Sequence, residues 1–143
     1  VLILTTLASG GLVAGLDAGS IYNTFPLMGD SLIPSEVMVL KPWFTNFGEN
    51  VVTVQLQHRI LGVITSIFVI LLWIKAKATN VTNGMNLVIN CLAVMTGLQI
   101  ILGITTLVLA SPIILASLHQ ANSIIVLTLS IWLKHKTEKL RIS

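Results

Sequence analysis

"VQLQHRILGVITSIFVILLWIKAK", residues 54–77, sets four polar side chains, Gln55, Gln57, His58 and Arg59, at the mouth of an apolar run from Ile60 to Ile74. A helix rises about 1.5 Å per residue, so roughly 20 apolar residues cross the ~30 Å hydrocarbon layer of a bilayer. The run is apolar on every side rather than along one stripe, which suits lipid and not the surface of a soluble domain. The rest of the 143-residue chain agrees: hydrophobic residues make up 55%, charged residues only 9%, and mean hydropathy is +0.95. A soluble domain carries about 25% charged residues. The sequence is that of an all-α membrane protein.

Four apolar segments are expected as helices, over about 1–16, 57–74, 85–110 and 113–133, packed as a four-transmembrane-helix bundle. Pro112 in "LASPIIL" stands at a helix start, where its missing N–H costs least, so the last two segments form a tight hairpin. The polar "KAKATNVTNG" joins the second and third, and the long connection 17–54 joins the first and second. The first segment is already hydrophobic at Val1, with no basic stretch before it and no cleavage pattern at Asp17. It reads as a truncated helix rather than a signal peptide. The single cysteine, Cys91, lies inside an apolar segment and leaves no intrachain disulfide to form.

Charge orients these helices. Lys75, Lys77, Lys134, Lys136, Lys139 and Arg141, six of the eight basic residues, follow the second and fourth segments. By the positive-inside rule that end faces the cytoplasm or mitochondrial matrix. Asp17, Asp30, Glu36 and Glu49 fall in the long loop on the opposite side. The net charge of +3 thus reports topology, and no nucleic-acid partner is read from it.

Of three histidines, His58 opens the second segment and His119, in "LASLHQANS", lies about two turns into the fourth, while His135 sits among lysines beyond the membrane. Both intramembrane imidazoles are expected in the outer half, at similar depth, where an ionisable group is costly and faces the protein interior. Two uses remain open on these residues alone. An iron porphyrin takes axial nitrogens from both faces and is held in bundle cores; alternatively, the histidines make only structural hydrogen bonds, at the interface and to a backbone carbonyl. Zinc is disfavoured, since it wants three or four ligands and neither segment offers a carboxylate or thiol near the pair. Leu61, Gly62 and Thr65 would share the face of His58, and Asn122, Ser123 and Val126 that of His119, with Gly62 and Ser123 leaving room beside the rings. Gly11 and Gly15 in "ASGGLVAG", with Gly97 and Gly103, suit close helix packing. Arg59 is either a partner for a propionate or a snorkelling interfacial cation. Tyr22, Trp43 and Phe44 read as interfacial anchors, Trp73 and Trp132 as an inner aromatic belt. "SEVMVLKPWF", residues 35–44, is expected to include a short amphipathic helix, with Met28 and Met38 as cap residues.

"AGLDAGSIYNTFPLMGDSLIP" (14–34), "NFGENVVTVQLQHRILG" (46–62), "LQIILGITTL" (98–107) and "LASLHQANS" (115–123) together resemble, in order and spacing, the carboxyl-terminal half of the haem A synthase family of the mitochondrial and alphaproteobacterial type. The resemblance implies one half of an eight-helix, pseudo-symmetric protein of two four-helix units, each with a histidine pair. It implies an oxidoreductase that converts a methyl group of haem O to the formyl group of haem A for cytochrome c oxidase. The carboxyl-terminal half would hold haem b through its iron, with His58 and His119 in the ligand positions and Arg59 at the cofactor. The implied partners are the amino-terminal half with the haem O substrate, haem O synthase, an electron donor and membrane lipid. The implied location is the mitochondrial inner membrane or the bacterial cytoplasmic membrane. In the family's substrate half a carboxylate stands three residues before the first histidine; here that position is Gln55, which cannot act as an acid or base. This chain is therefore expected to lack the substrate half and to be inactive alone. The alternative is a non-catalytic b-type cytochrome or haem-binding membrane module. A small solute carrier is disfavoured, because broken helices and midplane charges are missing.

Overall fold

The computed structural model describes residues 1–79 and 81–142, without the side chains of Leu140, Arg141 and Ile142. Asn80, in the connection "KAKATNVTNG", and the side chain of Arg141, one of the six clustered basic residues, lie outside the described residues. The described chain is helical and contains no strand. Helix α1 spans Leu2–Gly15, α2 is a single turn at Asn46–Glu49, α3 spans Val51–Ala78, α4 spans Asn83–Val108 and α5 spans Ile113–Ile142. Three of these, α3, α4 and α5 as far as Lys139, are long and apolar enough to cross a membrane, while α1 is a shorter apolar helix. The chain is a multi-pass membrane protein.

Two helices run further than their apolar segments. α3 begins at Val51 rather than near residue 57 because Asn50 caps it, its side-chain oxygen accepting the backbone N–H of Val52 and Thr53 at 3.0 Å each. His58 is consequently two turns into the helix instead of at its start. α5 continues past Leu133 through its exposed basic end, where Lys134 and Glu138 pair one turn apart at 3.6 Å. α4 ends on Ala110 and Ser111, both left-handed at φ 57° and 56°, and Pro112 precedes α5, making the expected tight hairpin.

Helix α1 packs on α3 and α5, and α4 packs on the same two, so α3 and α5 face each other across the interior. That interior is divided. The apolar core, Val69, Ala76, Val88, Ile89, Leu92, Val126 and Leu133, fills the end near the basic residues. The other end holds buried Ser9, Thr65, Thr96 and Asn122.

The connection from α1 to α3 is tied down by side-chain amides. Asn46, fully buried, accepts from Leu40 N–H (2.9 Å) and donates to the carbonyls of Leu40 (2.9 Å) and Trp43 (2.8 Å). Asn50 donates to Glu36 O at 2.9 Å and Asn23 to Leu107 O at 2.9 Å. The amphipathic helix expected over 35–44 does not form. A turn follows Pro34, Met38 takes φ 62°, and helical structure starts only at Trp43–Thr45 and α2, after Pro42 has removed one N–H donor. Met28 is buried beneath this loop, whereas Met38, Trp43 and Phe44 are exposed.

Candidate functional site

The polar knot that opens α3 divides between two neighbours. Gln55 Nε2 donates to Tyr22 O at 3.0 Å and Gln57 Nε2 to Phe47 O at 2.9 Å. Arg59 donates from Nη1 to Thr24 O (2.9 Å) and Leu27 O (3.1 Å) and from Nη2 to Tyr22 O (2.8 Å). Three carbonyls of one loop therefore occupy the terminal nitrogens of the guanidinium, using the planar fork that lysine lacks. His58 alone turns inward.

Inside, the imidazoles of His58 and His119 face each other with ring centres 6.4 Å apart and planes at 88°. His135 lies well along the exposed basic end of α5 and takes no part. His58 Nδ1 is 2.8 Å from Ser9 Oγ on α1, and its Nε2 has no hydrogen-bond partner among the described residues. Beside His119, Gln99 on α4 donates from Nε2 to His119 O at 3.0 Å and stands 3.3 Å from His119 Nε2, beyond the usual 2.7–3.2 Å range. Asn122 holds that amide in place, donating to Gln99 Oε1 at 2.6 Å and Met95 O at 3.0 Å. His119 Nδ1 is buried without a partner, a state that costs about 1–3 kcal/mol when nothing fills it.

Two glycines make the space for these rings. A Cβ at Gly10 would lie 3.0 Å from His58 Cε1, and one at Gly103 would lie 2.9 Å from His119 Cε1, so neither position accepts a side chain without moving an imidazole. Gly11, Gly15, Gly62 and Gly97 have nothing within 4 Å of such an atom. The His58 ring thus lies directly against Gly10 of α1, while the space at Gly62, one turn on in its own helix, is open. Ser123 turns back to Gln120 O at 2.6 Å.

The spacing of the two rings would suit a metal that takes one imidazole on each side. Two imidazoles sharing one first-row metal, each nitrogen about 2 Å from it and each ring centre about 1 Å further out, have centres about 6 Å apart. Among the described residues His58 Nε2 and His119 Nδ1 have no hydrogen-bond partner, and no third His, Cys, Asp or Glu joins them. Ser9, Gly10 and Gln99 were not singled out from the sequence. Gln99 carried a signal, an amide at the middle of an apolar segment; Ser9 and Gly10 were submerged in a stretch that reads as helix packing.

Comparison with known proteins accords with this architecture. The family model described as COX15-CtaA, cytochrome oxidase assembly protein, matches residues 1–131. The chain is 40% identical over 138 residues to "Heme A synthase" of Nitrosospira multiformis, covering 96% of this chain and 39% of that protein. It is 41% identical over 130 residues to "Heme A synthase COX15" of Arabidopsis thaliana, covering 91% and 28%. Against "Heme A synthase COX15" of Homo sapiens it is 36% identical over 138 residues, covering 96% and 34%. The chain spans under two-fifths of the length of these curated relatives. No solved structure matches it. A match to the family model over nearly the whole chain, joined by relatives that each cover more than nine-tenths of it, means that the chain belongs to the COX15-CtaA family of cytochrome oxidase assembly proteins.

Proposed function

We propose that the chain is the carboxyl-terminal, haem-b-holding unit of a haem A synthase, a four-helix bundle paired with a pseudo-symmetric amino-terminal unit that takes haem O. The observation that carries this reading is the His58–His119 pair, 6.4 Å apart across the interior on two helices that face each other. His58 and His119 would hold the iron, and haem b, when bound, supplies one-electron redox chemistry at that iron.

The chain's own residues do the rest. Ser9, Gln99 and Asn122 hold the two imidazoles, and Gly10 and Gly103 let the rings lie directly against α1 and α4. Arg59 and Gln55 draw the loop onto α3 through Tyr22 O and so close the site towards water. A propionate reaching Arg59 would compete with those loop carbonyls. Gln55, standing three residues before His58, does not titrate and cannot serve as an acid or base, so oxidation of the haem O methyl group belongs to the partner unit and this unit handles electrons. A donor of electrons, haem O synthase and membrane lipid complete the proposed partners.

The test is spectroscopic. In the purified, haem-loaded chain, His58→Ala and His119→Ala should each convert a six-coordinate low-spin spectrum to a high-spin one or lose the haem, with His135→Ala unchanged. Wild-type spectra in both variants would overturn the ligand assignment. Co-expression with a matching amino-terminal unit, followed by pigment extraction, should yield haem A; haem b alone would point to a b-type cytochrome instead.

A further inference from the structure

Building on the reading that His58 ligates haem iron, we propose that Ser9 is a positioning residue: it holds His58 in the Nδ1–H tautomer and so presents Nε2 to the metal, making His58 the preset member of an unequal ligand pair.

The hydrogen-bond chain dictates this direction. Ser9 is buried, and its Oγ lies 2.7 Å from Thr6 O. A carbonyl only accepts, so the single hydroxyl proton of Ser9 is directed there. Towards His58 Nδ1, at 2.8 Å, the same oxygen has only lone pairs left, and the imidazole must donate. A neutral imidazole with its proton on Nδ1 carries its lone pair on Nε2, the nitrogen that has no hydrogen-bond partner among the described residues. His119 is held differently: the Gln99 amide is 3.3 Å from Nε2, and among the described residues no hydroxyl accepts from Nδ1.

A hydrogen bond from the outer N–H of a ligating imidazole fixes the ring and raises its basicity as a ligand. A more basic ligand favours the ferric over the ferrous state, so Ser9 lowers the midpoint potential of the haem. A control lies on the same pair of helices. Thr6 Oγ1 and Thr65 Oγ1 meet at 2.7 Å, joining α1 to α3 through hydroxyls that hydrogen-bond neither histidine among the described residues.

The experiment has two arms. In the metal-free 143-residue chain, nitrogen NMR of labelled histidine should report the Nδ1–H tautomer for His58 in the wild type and in Thr65→Val, and a tautomer mixture in Ser9→Ala. An Nε2–H tautomer in the wild type overturns the proposal whatever binds later. In the haem-loaded chain, Ser9→Ala should raise the midpoint potential and weaken haem retention about tenfold or more, while Thr65→Val moves neither. A wild-type potential in Ser9→Ala likewise overturns the proposal. A low-spin spectrum that survives His58→Ala sinks the ligand reading instead, and leaves the tautomer result to stand by itself.

Discussion

His58 differs from its neighbours in what it faces, not in how polar it is. Gln55 and Arg59 are one helical turn apart and reach the same Tyr22 carbonyl, whereas His58 meets α1. Its surroundings make steric demands that substitution can read. Gly103→Ala places a methyl group 2.9 Å from His119 Cε1, so the ring must shift, and the haem-loaded protein should show weakened or heterogeneous ligation in its visible spectrum. Gly97→Ala, on the same helix and with open space around it, should leave that spectrum unchanged. Asn122→Ala removes two hydrogen bonds from the buried network. Interhelical bonds in membranes are worth about 0.6–1.7 kcal/mol each, so a loss of about 1–3 kcal/mol is expected from reversible unfolding in detergent.

Helix α3 and the loop before it stand or fall together. Asn50 both caps the helix and donates to Glu36 O, so Asn50→Ala should cost about 1 kcal/mol or more through the cap and free the loop as well. Arg59→Lys keeps the charge but cannot span three carbonyls. Amide exchange over residues 22–27 should therefore accelerate in that variant while α4 is unaffected. The loop also carries a pH dependence. Glu36 is held below its ordinary value of 4.5, first by its own backbone amide and then by the Ser35 hydroxyl. Because the folded pKa is the lower one, the ionised carboxylate favours the fold; its contribution is present above pH 4.5 and is lost as pH falls below that value. Loop amides should exchange faster on acidification, and Glu36→Gln should flatten that response.

The molecule as a whole has two unlike ends. The end with the polar interior carries the long loop, and the end with the apolar core carries the basic residues. By the positive-inside rule the histidine pair is expected near the outer face. Ser31 is exposed in the loop, so Ser31→Cys, introduced with Cys91→Ser, should react with a membrane-impermeant maleimide in intact cells or mitoplasts. Labelling only after the membrane is opened would reverse the orientation and move the site to the inner half.

Hydrophobic run length alone determined the spanning helices, because a bilayer asks for about 20 apolar residues and asks little about their order. Charge placement and the two intramembrane histidines were equally open to reading, since polar groups in such runs are rare and stand out. The true start of α3 was not, because Gln55, Gln57 and Arg59 look like loop until Asn50 is seen to cap the helix and loop carbonyls to accept from these side chains. Nor were Ser9 and Gly10, nor the ring that the amide of Gln99 would meet. Each acts on a residue of another helix, His58 at 49 positions from Ser9 and His119 at 20 from Gln99, and only the packing of α1 on α3 and of α4 on α5 decides which small or polar side chain meets which ring.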